Sequence, residues 1–295
     1  MSRFGAIESA AMAAVAVFSA VAALVGVVTL SGCGVSEAVD PVAKAAQATQ
    51  SLPGAQVIFT GEVVSPLASR HLHFSGRGVV NNHPLATRLT YQFLNLFPGS
   101  SAGRVSAELR ILHHVLFMRF PLLADRLRGK QWLKIDERRT AQAAGLGSLP
   151  SADELDPDQY LTYLRAVSGG LADVGFQMIH GVSTTGYQGE IELQRAARLA
   201  PADRRSATVS AVGNLEHVTG VHAIPFEVWI DRRSRVRRIS LAEGESSTYP
   251  NAVKVYLTVD FLHFGREPRP PAPPAGEVFD ATSQAVSAIN EQLRP

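Results

Sequence analysis

Cys33 is the only cysteine in the chain and the residue whose position most clearly suggests a chemistry. A lone thiol cannot form an internal disulfide, but it can be a small buried apolar group, a nucleophile or an attachment point. Ser31 and Gly32 precede it directly, and a nearly continuous apolar run over residues 10–30 precedes them. An apolar segment, a small-residue cleavage site and a cysteine are typical of a bacterial signal sequence whose cysteine sulfur receives a diacylglycerol group. The sequence therefore predicts a signal peptide over residues 1–32 and acylation of Cys33.

The same apolar run has a second interpretation, an uncleaved anchor helix. Roughly 20 apolar residues span a bilayer, and the basic character before the run is weak, since Arg3 is offset by Glu8. Either interpretation attaches the rest of the chain to the cell membrane on its extracytoplasmic side, facing the periplasm or cell wall. With two or three acyl chains, at about 0.8 kcal/mol per buried methylene, the lipid anchor would be effectively permanent.

Charge and composition limit the partners. The formal net charge is +2, and removal of residues 1–32 takes away one basic and one acidic residue, so it stays +2. Such a balanced charge argues against a nucleic-acid partner. Without a second cysteine the exported part must fold without disulfides, which suits a hydrophobic content of 46%. We expect residues 33–39 to form a tether and residues 40–295 a single domain.

Apolar residues recur at two different spacings along that domain, one typical of helices and one typical of strands. Asp40-Pro41 predicts a helix start and Pro53-Gly54 its end. From residue 55 the apolar residues recur at every second position, which predicts antiparallel strands to about residue 135 and again from about residue 224 to Phe264. Strands, then helices, then strands indicate an α+β fold, one antiparallel sheet with helices on one face. The remaining predicted elements are helices at 136–146, 156–168, 201–217 and 277–293, a hairpin over 174–193, and bends of the sheet at Gly61, Gly76 and Gly78.

The side chains that could take part in catalysis do not form a recognised catalytic or metal-binding motif in the sequence. His71 and His73 share one strand face and His113 and His114 are adjacent, but no companion carboxylate stands at a metal-binding spacing. Motifs for a nucleophile elbow, a zinc protease or a phosphate-binding loop are missing. We therefore expect neither an enzyme nor a bound metal or cofactor.

An arginine-rich run follows the predicted strand that ends at Asp231. A solvated hairpin is the simpler interpretation, and contact with anionic lipid headgroups is the other. The run consists of Arg232, Arg233, Arg235, Arg237 and Arg238.

The apolar face of the strands is the remaining candidate for a site. Cores and ligand pockets use the same residue types, so the pattern is compatible with a filled core or with a lined cavity. The residues predicted to line such a cavity are Phe59, Phe74, Leu89, Tyr91, Leu109, Ile111, Phe226 and Val228.

Several short motifs, in order, carry a resemblance to a known family. They are Leu30-Ser31-Gly32-Cys33, Asp40-Pro41, the run KQWLKID at 130–136, the run PFEVWID at 225–231 with Val236-Arg237-Arg238 after it, and Phe264-Gly265 before a proline-rich stretch. In these the chain resembles the LppX/LprG-type lipoproteins of actinobacteria, which are similar in fold to the lipoprotein carriers LolA and LolB. The resemblance implies a strongly curved antiparallel half-barrel, with helices packed on its concave face around an apolar cavity.

The resemblance also implies a function. Members bind lipid or acylated glycolipid and handle it in the cell envelope, so we expect a membrane-anchored lipid-binding protein that is not an enzyme. The alternative is a structural or interaction lipoprotein of the envelope with a filled core and no ligand. An exported hydrolase is a third class, for which two polar groups converging in the hollow would be needed. No partner protein is indicated.

Overall fold

The computed structural model describes residues 41–64, 71–82, 85–94, 104–121, 127–136, 138–140, 167–198, 221–243 and 254–292, and the single positions 124, 164, 209 and 212. The predicted signal peptide, Cys33 and the tether lie outside the described residues, as do most of the helices predicted at 136–146, 156–168 and 201–217.

The described strands form one twelve-stranded sheet in the order β12-β6-β5-β4-β3-β2-β1-β11-β10-β9-β8-β7. Neighbouring strands are antiparallel except β12, which pairs parallel with β6. This large, open, curved sheet with few helices confirms the predicted fold class. The strands are β1 Gly54–Val64, β2 Leu72–Asn82, β3 Leu85–Leu94, β4 Arg104–Leu112, β5 Val115–Arg119, β6 Trp132–Asp136, β7 Val167–Ile179, β8 Val182–Glu192, β9 Ala223–Asp231, β10 Val236–Glu243, β11 Lys254–Phe264 and β12 Val278–Asp280.

Helices described in the chain are short. They are α1 Pro41–Gln50, α2 Leu193–Arg198 and α3 Thr282–Gln292, with a 3₁₀ turn at Ala275–Glu277. The pairing of β1 with β11, in which Phe59 lies opposite Val259, joins the early strands to the late ones in a single sheet.

The two faces of the sheet differ because alternate side chains point to opposite sides. One face, called the inner face here, carries Phe59, Leu89, Leu109 and Phe226, all buried in one apolar cluster. Val42 and Ala45 of α1 and Leu193 of α2 join this cluster, so both helices lie on the inner face. The outer face carries the polar alternates.

Glycines on the inner face make recesses for aromatic rings. A Cβ at Gly61 would lie 2.1 Å from the Phe74 ring, and one at Gly76 would lie 2.2 Å from the Phe59 ring. Only glycine allows these rings to lie directly over the neighbouring strand.

Two predicted boundaries are wrong. β7 begins at Val167, within a predicted helix, because Val167 pairs with Ile191 and Ser168 pairs with Glu190. Residues 193–198, of which Leu193 was predicted as the end of a strand, form α2.

The predicted C-terminal helix also starts too early. Glu277 lies in a 3₁₀ turn, the next three residues form β12 against β6, and the helix begins only at Thr282. The Glu277 carbonyl accepts a hydrogen bond from the Gln131 N–H, and Asp280 accepts bonds from the backbone N–H and the hydroxyl of Thr282 at 3.1 and 2.6 Å. The pairing with β6 and the local bonds between Asp280 and Thr282 replace the first turn of the predicted helix.

Asp280 gives a pH-dependent contribution to stability. Burial alone would raise its pKa, but hydrogen bonds from Thr282 and Lys134 lower the pKa to about 2. Because the folded pKa lies below the unfolded one, the contribution is present above about pH 4 and is lost as the pH falls towards 2. Asp280→Asn should remove that pH dependence and cost less than about 1 kcal/mol at pH 7, since the side chain is partly exposed. Urea unfolding at pH 7 and pH 3 measures it, and an unchanged pH dependence in the variant would contradict it.

Candidate functional site

All eight residues predicted to line a cavity lie together on the inner face. They come from β1, β2, β3, β4 and β9, and each is at most 8% exposed. Water therefore reaches little of the surface that they share. They belong to one apolar cluster that also contains Leu164 and Val212.

Aromatic rings form a continuous row across the early strands of this face. The Phe59 and Tyr91 ring centroids are 4.6 Å apart, and Tyr91 stacks on Phe93 at 5.9 Å with an interplanar angle of 6°. Phe93 then contacts Phe74 at 6.4 Å and Phe120 at 6.2 Å. Phe93 continues the alternation of Leu89 and Tyr91 and could have been predicted, whereas Phe120 follows β5 and no periodicity marks it.

Helix α1 covers part of the inner face and is held there by Thr49. The buried Thr49 hydroxyl donates to the Ala45 carbonyl at 2.7 Å and accepts the backbone N–H of Val236 at 2.8 Å. Val236 lies where the β9–β10 register shifts. The helix therefore supplies, through Thr49, a hydrogen-bond acceptor for a backbone N–H at an irregular position of the sheet. One side chain thus links the cover to the sheet.

Thr49→Val tests this link. Valine keeps the shape but cannot accept the Val236 N–H, which stays buried without that acceptor, so we expect a loss of about 1–2 kcal/mol in the free energy of unfolding. Ser51→Ala is the control, because the Ser51 hydroxyl bonds the Ala48 carbonyl at an exposed position of the same helix end. A loss in the control as large as that in Thr49→Val would argue against the link.

The outer face contains a buried carboxylate surrounded by arginines. Glu108 accepts hydrogen bonds from Arg88 at 2.8 Å, from Arg110 at 2.9 Å and from Arg119 at 3.0 Å. The guanidinium of Arg110 also lies 4.4 Å from the ring centroid of buried Trp132. We call these five residues the Glu108 cluster.

A proline-rich strap, residues 265–275, crosses the outer face next to this cluster. Its Pro271 carbonyl accepts from Arg110 at 2.7 Å, and the Glu267 N–H donates to the Asn81 side chain at 2.9 Å. Extended proline-rich backbone suits this position because it needs no ladder partners. The cluster joins β3, β4 and β5 on the outer face, and Arg110 ties the strap to it.

A second outer-face feature is a groove of about 490 Å³ across β9, β10, β11 and β1. Glu62 and His73 line it, and His71 contacts the same Glu62 carboxylate. His73 Nε2 is 4.0 Å from that carboxylate. Across the described part of the chain, no group of three or more His, Cys, Asp or Glu side chains could hold a metal ion.

Most of the arginine-rich run is paired. Arg235 and Arg237 donate to Asp231 at 2.9 Å each, and Arg238 donates to Asp260 at 2.6 and 2.8 Å. Arg232 and Arg233 are exposed. The run therefore combines a buried ion-pair network with two solvent-facing cations.

Both carboxylates of that network have lowered pKa values. Burial by itself would raise the pKa of Asp231, but bonds from Arg235, Arg237 and backbone N–H groups outweigh it. Likewise burial would raise the pKa of Asp260, but bonds from Arg238 and His180 lower it. His180, at the tip of the β7–β8 hairpin, lies 2.7 Å from Asp260 and links that tip to β11.

The fold is an open curved antiparallel sheet with an apolar inner face. Within the ranges the structure covers, none of the helices combines the length and the apolar character needed to cross a bilayer. The sequence matches no protein-family model and no curated protein.

Among solved structures the chain is similar to LprF from Mycobacterium bovis, with 14% identity over 80% of this chain and 96% of that one and a TM-score of 0.46. It is also similar to the lipoprotein LppX from Mycobacterium tuberculosis, with 15% identity over 78% and 95% and a TM-score of 0.42. A LolA superfamily protein from Nitrosomonas europaea matches at 10% identity over 78% and 93%, with a TM-score of 0.25. LppX, whose family the sequence motifs resemble, is among these structural matches.

Proposed function

We propose that this chain is a membrane-anchored carrier that holds the acyl chains of a lipid or acylated glycolipid against the inner face of its sheet. The observation that carries the proposal is the single apolar cluster extending from β9 across β1 to β4, with the aromatic row at its centre. Transfer of an acyl chain from water onto such a surface releases about 25 cal/mol per Å² buried.

Uptake of a ligand requires the cover to separate from the sheet. The eight inner-face residues are nearly inaccessible to water, so an acyl chain must displace the apolar groups packed on them. Helix α1 is only ten residues long and is anchored through Thr49 near its end. Motion of this short helix away from β9 and β10 would expose the apolar surface of those two strands without breaking the ladder of the sheet.

The burial of those residues also favours the second candidate, an envelope lipoprotein with a filled core. The experiment that separates the two is lipid extraction from the purified chain followed by mass spectrometry, with a fluorescent fatty-acyl probe added to the delipidated protein. The carrier proposal expects co-purified acyl lipid and saturable probe binding. Empty extracts together with no probe binding would leave the filled core.

Attachment through Cys33 is tested separately. Cys33→Ala removes the only thiol, so it should release the protein from the membrane fraction or stop its processing. Fractionation of cells and the mass of the mature N-terminus measure this. Unchanged membrane association would replace the acyl anchor by a retained helix over residues 10–30.

A further inference from the structure

We propose that the β7–β8 hairpin, the turn at Arg232-Arg233 and the start of α1 form a docking surface for an anionic lipid bilayer. The inference goes beyond lipid carriage and takes from the proposed function only the attachment to a membrane, whether by Cys33 or by a retained helix. It concerns which side of the molecule faces the bilayer.

Two large apolar side chains at the sheet edge face solvent. Phe176 is 82% exposed and Met178 is 61% exposed, while the other exposed large apolar side chains of the described residues, Ile58, Leu94 and Val209, reach only 37–40%. Residues i and i+2 of a strand share a face, so the two side chains lie next to each other. They are on β7, the last strand of the sheet, which has no further strand beyond it in the described residues.

A concavity joins Phe176 of this apolar pair to Pro41, the first described residue of the chain. Its volume is about 390 Å³, and its lining includes Phe176, Tyr187, Lys44, Arg232 and Pro41. Pro41 is where the segment from the membrane enters the domain. Cys33 lies eight residues earlier and the end of the apolar run, Leu30, lies eleven residues earlier. A fully extended tether therefore spans at most about 28 Å from Cys33 or about 40 Å from a retained helix. This limit keeps the concavity close to the bilayer surface.

The charge around the concavity matches an anionic surface. Lys44, Arg232 and Arg233 are exposed, and each cation near an anionic leaflet contributes about 1 kcal/mol. Asp231 also lines the concavity, but it is buried and paired with Arg235 and Arg237. The exposed carboxylates of the hairpin are Asp173, which accepts the Gly175 N–H, and Glu190 at the end away from the hairpin tip, so the three cations outnumber them.

Apolar side chains flanked by cations are the composition of a surface that lies in the headgroup region. The apolar pair inserts below the headgroups, and the cations contact the phosphates. The domain is thereby oriented with the hairpin towards the membrane, instead of rotating freely on its tether.

The test places an environment-sensitive fluorophore at Met178→Cys in the full chain, reconstituted in vesicles of phosphatidylcholine with phosphatidylglycerol. Phe176 stays in place, and the parent chain with Cys33 alone gives the background. Arg77→Cys, on an exposed position of β2, is the matched control. We expect quenching by nitroxide-labelled lipid to be about threefold stronger at position 178 than at 77. The double variant Arg232→Glu, Arg233→Glu should at least halve that difference, as should vesicles without phosphatidylglycerol.

Equal quenching at positions 178 and 77 would overturn the inference. So would protection of position 178 that depends on protein density in the vesicle, because a second copy would then be the occupant. Strong quenching that is indifferent to both charge changes would reject the anionic bilayer as the recognised surface. Loss of all vesicle association would reject the inference together with the anchor, whereas empty lipid extracts alone would reject only the carrier function.

Discussion

Glu108→Leu is expected to lower the free energy of unfolding by about 3 kcal/mol, because it removes the only carboxylate of the Glu108 cluster. Arg88 and Arg110 lie directly opposite each other on β3 and β4. Like charges in that relation repel, and Glu108 offsets the repulsion by accepting from both. Arg110 is only 13% exposed, so it cannot turn to water when its partner is lost.

Glu192→Leu is the matched control for this substitution. Glu192 also lies on a strand and also pairs with an arginine, but its contact with Arg198 is 3.3 Å long and both side chains are largely exposed. Such a surface pair contributes at most about 0.5–1 kcal/mol. Chemical denaturation of the two variants measures the difference, and equal losses would mean that the Glu108 cluster is not a buried network.

Ala107→Phe is expected to weaken binding of an acyl probe by about tenfold or more, provided that the inner face is the binding surface. Ala107 is buried on β4, opposite Tyr91 of the aromatic row. A phenyl ring there takes the place of several ligand methylenes, each worth about 0.8 kcal/mol. In a filled core the same substitution overpacks and costs about 1–3 kcal/mol of stability instead.

Ala242→Phe adds the same ring to the opposite face. Ala242 lines the outer groove, so this variant should leave probe binding within about twofold if the ligand lies on the inner face. Fluorescence titration and thermal unfolding of both variants give the two readouts. The reverse pattern, with only Ala242→Phe losing affinity, would move the ligand to the groove and contradict the inner-face site.

Local periodicity was sufficient to predict the long strands. β1 to β4 and β9 to β11 were predicted because apolar residues recur at alternate positions of their sequences, as in β4 with Val105, Ala107, Leu109 and Ile111, which are all buried. β12 was missed because it has three residues and forms only against β6, whose Lys134 is 146 positions from Asp280. No local pattern encodes such a contact.

The candidate site was likewise predicted in part from the sequence and formed in part by contacts between distant residues. Alternation predicted which residues face the apolar side, and all eight are buried there. Phe120 joins them only through its contact with Phe93, and Phe74 reaches its place because Gly61 leaves room for the ring. These are packing contacts between side chains of different strands. They depend on distances in the folded protein that the order of residues does not give.

The arginine-rich run illustrates why charge requires coordinates. Residue types showed five neighbouring cations but not their partners. The structure pairs Arg235 and Arg237 with Asp231 and Arg238 with Asp260, and leaves Arg232 and Arg233 exposed. Whether a charge is neutralised depends on burial and on carboxylates brought close by the sheet.

By itself the sequence predicted the membrane attachment, through Cys33 and the apolar run before it, and determined the two-faced strands, through their period of two. Both are local properties, since cleavage sites and side-chain alternation involve neighbouring residues. Only the tertiary structure decided the strand order, the aromatic row, the Glu108 cluster and the exposed pair Phe176 and Met178 beside Pro41. Those features arise where distant segments meet, and there the free energy of packing, not local preference, selects the partners.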